Sequence, residues 1–117
     1  KRAIPLEVSG AFHSPYMESA AKKFSLELDN VSFQEAIFPV LSNSNPKPTC
    51  DASVLKERLQ TQMTNGVKWR ETMEIMLQEG ITTLVEIGPG NVLSGLAKRS
   101  MQGVVTSQVS NATDLGC

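Results

Sequence analysis

Ile4, Leu6 and Val8 are apolar and alternate with Ala3, Pro5 and Glu7. A period of two is the mark of a strand with one covered face. Pro5 cannot donate to a ladder, which assigns it to an edge or a strand end. After Ser9-Gly10 the period changes. Met17, Ala21, Phe24 and Leu28 recur at helical spacing, with Lys22, Lys23 and Glu27 on the opposite side. Ser14 has the chemistry of an N-cap and Pro15 suits the first helical position, so this helix is predicted to run to Leu28–Asn30.

Phe38-Pro39-Val40-Leu41-Ser42 reads as a second strand, followed by the loop Ser42–Thr49. Asp51 is placed to cap a second helix with Val54, Leu55, Leu59 and Met63 on its apolar side, and Asn65-Gly66 interrupts it. A third helix is predicted from Val67 to Gln78, with Trp69, Met73, Met76 and Leu77 inward and Gly80 as its stop. Thr82–Ile87 is the strongest strand, β-branched and nearly continuous. Gly88-Pro89-Gly90-Asn91 turns it into a fourth helix, apolar at Val92, Leu93, Leu96 and Ala97, with Lys98 and Arg99 in its last turn. Val104–Val109 is a final strand. The order β-α-β-α-α-β-α-β implies an α/β fold with mostly parallel strands.

Composition changes this picture little. The 117 residues are 40% apolar and 20% charged, with a formal net charge of −1. No basic stripe invites nucleic acid or an acidic membrane surface, and no apolar run can span a bilayer. Cys50 and Cys117 form no CxxC pair, so neither a metal site nor a disulfide framework is expected. The chain opens at Lys1-Arg2 without an initiator Met, and it is expected to be a piece of a longer protein.

The candidate chemistry centres on Gly10-Ala11-Phe12-His13-Ser14-Pro15-Tyr16-Met17, which holds the only histidine. Histidine exchanges protons near neutral pH, and the junction of a strand with a helix is where open α/β folds place their ligands. His13 is therefore either a general base or an ordinary structural imidazole. A base needs a nucleophile, and the chain contains no G-x-S-x-G elbow. Gly88–Asn91 is either a tight turn or an anion cradle at a helix N-terminus. Gln62 means little by itself.

The Gly10–Met17 stretch closely resembles the histidine motif of malonyl-CoA:acyl carrier protein transacylases and of polyketide synthase acyltransferase domains. Three further stretches agree in order and spacing: Val40–Asn43, Gln62–Trp69 and Glu86–Leu96. The resemblance implies the C-terminal part of an α/β-hydrolase-like large domain over residues 1–109, with 110–117 as a flexible tail. It implies malonyl transfer from malonyl-CoA to the phosphopantetheine thiol of acyl carrier protein, in fatty acid synthesis, through an acyl-serine whose serine lies outside this chain. By that resemblance His13 is the base, and a main-chain carbonyl at the position of Gln62, placed by its distance before Trp69, orients it. Phe12 would crowd the space that an α-methyl group needs, favouring malonyl over methylmalonyl. No cofactor or metal is implied beyond the two substrates. The full-length enzyme would be a monomer of the bacterial cytoplasm or plastid stroma. The alternatives are an acyltransferase domain of a polyketide synthase and a non-catalytic acyltransferase-like binding module.

Overall fold

The computed structural model describes residues 10–115, so the strand expected over Ile4–Val8 lies outside the described residues. The chain divides between Lys68 and Trp69 into two compact units.

In the first unit, a 3-10 turn at Pro15–Met17 leads into helix α1, Glu18–Asp29, and helix α2 follows at Ala52–Thr61. The apolar stripe of α1 behaves as its spacing predicts. Ala21 and Leu28 are buried, and Met17 and Phe24 are half-buried. α1 and α2 pack together, and Asp29 at the end of α1 takes Lys56 of α2 at 3.1 Å. The N-terminus of α2 is closed by two carboxylates. Asp51 accepts from the Val54 N–H at 2.9 Å and from the Ser53 hydroxyl at 2.6 Å. Glu35 accepts from the Ala52 N–H at 3.3 Å. These occupy donors that a helix start leaves without intrahelical partners.

The second predicted strand is not formed. Phe38–Ser42 contributes one antiparallel bridge, Val40 to Thr49, with N···O distances of 2.9 and 3.2 Å. The reason lies in the flanking residues. The next hydrogen-bonded pairs in that register would be Phe38 with Asp51 and Ser42 with Lys47. Asp51 is instead the cap of α2, with its N–H on the Thr49 hydroxyl at 3.2 Å, and Ser42 exchanges both its backbone bonds with Asn45 at 3.2 Å. The element order over the described residues is therefore α-α-α-β-α-β, with short 3-10 turns near either end.

In the second unit, α3 spans Trp69–Gln78, β1 Thr83–Ile87, α4 Val92–Ser100 and β2 Val105–Val109. Gly80, at φ 75°, ends α3 in a Schellman arrangement. The Ile81 N–H bonds to the Met76 carbonyl and the Gly80 N–H to that of Leu77. The strands pair in parallel from Thr83–Val105 to Ile87–Val109, with α4 as the crossover. This confirms the expected class, an α/β arrangement with parallel strands.

The core of this unit is Met73, Ala97 and Met101, joined by Trp69, Met76, Leu84 and Val104. Met101 has no exposed surface. One expectation fails at the margin. Leu77 is exposed rather than inward, since α3 turns only part of its apolar stripe toward this core; the apolar Val92 and Leu93 of α4 are exposed too. Val85, Ile87 and Val105 are exposed as well, with Ile87 at 81%. The stretch after β2 holds a 3-10 turn at Ala112–Leu115. Asp114 accepts there from the N–H groups of Ser110 and Asn111 at 2.7 and 3.1 Å.

Met101 is the test of this core. Truncating a buried Met leaves a cavity and typically costs about 2–5 kcal/mol, whereas Met to Leu conserves volume and costs less than about 1.5 kcal/mol. Urea denaturation should rank parent, Met101→Leu and Met101→Ala in that order. Equal midpoints for all three would remove Met101 from the core.

Candidate active site

The turn that carries the histidine is built from backbone geometry first. His13 has φ 62°, the one non-glycine residue with positive φ among the described residues. Ser14 is extended, with φ −137° and ψ 164°, as a residue before proline should be. The Ser14 hydroxyl does not cap the helix ahead of it. It donates backward to the Ala11 carbonyl at 2.6 Å. The expected N-cap bond is thus replaced by a bond that closes the turn around Phe12 and His13.

Gln62, 49 residues further along, is the C-cap of α2. Carbonyls at a helix C-terminus lack intrahelical donors and carry the negative end of the helix dipole. The Thr61 carbonyl is taken by the Thr64 N–H and hydroxyl and by the Asn65 side chain. The Gln62 carbonyl receives His13 instead, with Nδ1 2.9 Å from the oxygen. A carbonyl oxygen can only accept, so Nδ1 carries the hydrogen. In the neutral ring that leaves the Nε2 lone pair as the proton acceptor.

Phe12 stands next to His13 on the same turn and is 58% exposed. A Cβ at Gly10 would stand 3.1 Å from Phe12 Cε2, so the ring lies against backbone that only glycine leaves bare. His13, Gln62 and Phe12 are thus brought to one turn and one helix end. The larger concavities are elsewhere. One of about 550 Å³ is lined by Trp69, Met76, Leu84, Pro89 and Leu93. Another of about 460 Å³ is lined by Ser44, Arg58, Asn65 and Lys68. Among the described residues no cluster of His, Cys, Asp and Glu could hold a metal ion, and no helix is long and apolar enough to cross a membrane.

The Gly88–Asn91 turn resolves the second sequence question. Gly88 and Gly90 have φ 135° and 89°, conformations that glycine adopts without penalty. The Gln108 side-chain amide donates to the Gly90 carbonyl. The anion at the start of α4 is internal. Glu86, from β1, accepts from the Leu93 N–H at 3.1 Å and from the Ser94 N–H at 2.8 Å. The Ser94 hydroxyl, then the Ser94 and Leu93 N–H groups, hold the Glu86 carboxyl below its ordinary pKa. With these donors occupied, the tight-turn reading stands and the cradle is already filled. The sequence carried one signal of this, a lone carboxylate in a strand of otherwise uncharged residues.

No family model matches the chain. The malonyl CoA-acyl carrier protein transacylase of Synechocystis sp. is 44% identical over 115 residues, covering 98% of this chain and 39% of that protein. The crystal structure of the Synechocystis transacylase superposes with a TM-score of 0.90 over 99% of this chain and 40% of its own. A type II PKS acyl carrier protein in complex with its malonyl-transacylase gives a TM-score of 0.87 at 37% identity, covering 98% of this chain and 37% of that one. The matches align with the C-terminal portion of proteins whose fold is α/β-hydrolase-like. The chain spans about two-fifths of the length of the curated relatives it matches.

The Glu86 cap generates a pH prediction. Its folded pKa lies below the ordinary value, so its stabilisation is full above the ordinary carboxylate range. It is lost as pH falls through the folded pKa. Glu86→Gln should lower the melting temperature by a few degrees at neutral pH, and its deficit against the parent should shrink below roughly pH 4. Circular dichroism melts across a pH series check this. A deficit of the same size in strong acid would show that the carboxylate charge is not what holds α4.

Proposed function

We propose, from the homology of this chain to the C-terminal portion of the malonyl CoA-acyl carrier protein transacylase family, that it supplies the proton-transfer half of a malonyl transferase. The observation that carries the reading is the bond from His13 Nδ1 to the Gln62 carbonyl. It leaves Nε2 as the base of a serine nucleophile that lies outside these residues. That serine would attack the thioester carbonyl of malonyl-CoA as Nε2 takes its proton. The new bond is serine oxygen to acyl carbon, and the broken bond is acyl carbon to sulfur. The coenzyme A thiolate leaves with the proton from the imidazolium. In the second half, Nε2 takes the proton of the phosphopantetheine thiol of an acyl carrier protein and the sulfur bonds to the acyl carbon. The bond from acyl carbon to serine oxygen breaks, and that oxygen takes the proton back from the imidazolium, restoring serine. This is the two-step pattern of a covalent nucleophile.

A neutral carbonyl fixes the tautomer as a triad carboxylate does, and stabilises imidazolium less. That suffices for a thiolate, which needs less help to leave than an amine. Fatty acid synthesis is the setting we favour. The match to a malonyl-transacylase bound to a type II PKS carrier supports a second reading, in which the carrier belongs to a polyketide synthase. No metal or cofactor enters either scheme. Phe12, packed over Gly10 and adjacent to His13, is proposed to exclude an α-methyl group from the acyl site.

In the intact polypeptide that carries this chain, His13→Ala should slow malonyl-serine formation by roughly 10²–10⁴. Gln62→Ala, which keeps the carbonyl, should stay within about threefold of the parent, far less than the factor that general-base catalysis contributes. Rapid quench with labelled malonyl-CoA measures both, and an unchanged acylation rate in the His13 variant defeats the proposal. Phe12→Ser should raise the share of methylmalonyl transferred when the two acyl-CoAs compete. An unaltered ratio would clear Phe12 of a selective role.

A further inference from the structure

We infer that Ser14 is a positioning residue for His13, because its hydroxyl fastens the turn that holds the histidine in a left-handed backbone conformation. The inference rests on the reading of His13 as the proton carrier. A positive φ on a residue with a side chain is held only where the surroundings impose it, so something must hold His13 at 62°. The chain on either side supplies the restraint. Downstream, Pro15 keeps Ser14 extended, and the Ser14 carbonyl accepts from the Met17 N–H at 3.0 Å, joining it to the 3-10 turn. Upstream, the Ser14 hydroxyl reaches the Ala11 carbonyl at 2.6 Å. Ser14 is therefore tied on both sides of its own Cα, and His13 lies inside the loop that the backward bond closes.

The same hydroxyl in its ordinary capping role would bond forward into the helix, and it does not. Pro15 also has no N–H to offer. The hydroxyl is thus spent on the turn. The imidazole is then located by two independent anchors. Ser14 sets where the Cβ of His13 points, and the Gln62 carbonyl receives Nδ1. Without the first, His13 can relax toward negative φ, which swings the side chain away from the second. Nε2 then loses its fixed position and the ring its fixed tautomer. Misplacement of a catalytic group by about 1 Å can cost about 10²-fold in rate. Substrate binding, which does not use the hydroxyl, is unaffected.

The test uses Ser14→Ala, Ser14→Thr and His13→Ala in the intact polypeptide, with malonyl-CoA and a phosphopantetheinylated carrier. Ser14→Ala should lower kcat by about 10–100-fold with KM for malonyl-CoA within about twofold, a split that loss of positioning alone produces. Ser14→Thr, which restores the hydroxyl, should recover most of kcat. Nitrogen-15 NMR of the ring, assigned by its disappearance in His13→Ala, should show the Nδ1–H tautomer in the parent and a tautomer mixture in Ser14→Ala. If Ser14→Ala does not fold, Ser14→Cys, a near-isostere with a weak donor, replaces it and should show an intermediate kcat. Full transfer by His13→Ala overturns the base reading and this inference with it. An inactive His13→Ala beside a Ser14→Ala that keeps the parent's kcat and tautomer overturns the role of Ser14 alone. A change confined to KM does the same.

Discussion

An imidazole bonded to a main-chain carbonyl has its neutral tautomer chosen for it, and this constraint organises the first unit of the chain. The acceptor must be a carbonyl with no competing donor, which a helix C-terminus provides. Helix α2 must end at Gln62, which the Asp51 and Glu35 caps at its other end and the Thr64 and Asn65 bonds to Thr61 together secure. The histidine must approach from a turn, because its φ of 62° belongs to no regular element. Each of these local choices is unremarkable alone. Together they place one nitrogen lone pair.

The two units close their helix starts by one principle. Asp51 lies directly before α2, whereas Glu86 reaches α4 from the adjoining strand. In both, a carboxylate takes N–H groups that could otherwise receive an external anion. A glycine-rich turn between strand and helix is therefore not by itself a phosphate site. What decides is whether the protein has already supplied the charge.

Much of the fold was legible in the hydrophobic periods. The four helices, β1 and β2 fall within a few residues of their predicted spans, and Asp51 and Gly80 act as the cap and the stop that their chemistry suggests. Phe38–Ser42 misled because an apolar run was weighed without its partner. The partner segment is drawn off into the cap of α2 at Asp51 and the tight Ser42–Asn45 turn, so only one pair forms. The site was legible only in part. Local spacing could not join His13 to Gln62, since the bond crosses 49 residues and uses no side chain of Gln62. Resemblance supplied that pair. The Ser14 and Glu86 bonds escaped both approaches, because each side chain reaches outside its expected role. The sequence pattern tells which face of a strand or helix is apolar, and it is silent on which carbonyl a hydroxyl will choose.

An orienting partner that is main chain rather than side chain alters how the protein can change over time. Replacing the amino acid at position 62 leaves the acceptor in place, so that codon is free to drift as long as the helix persists. Losing or gaining a single residue within Ala52–Thr61 is another matter. It would rotate the carbonyls at the helix end by about 100° around the axis and point the acceptor away from the ring. The vulnerability thus lies in the length of α2 rather than in its spelling. Deletions there should be purged where substitutions are tolerated.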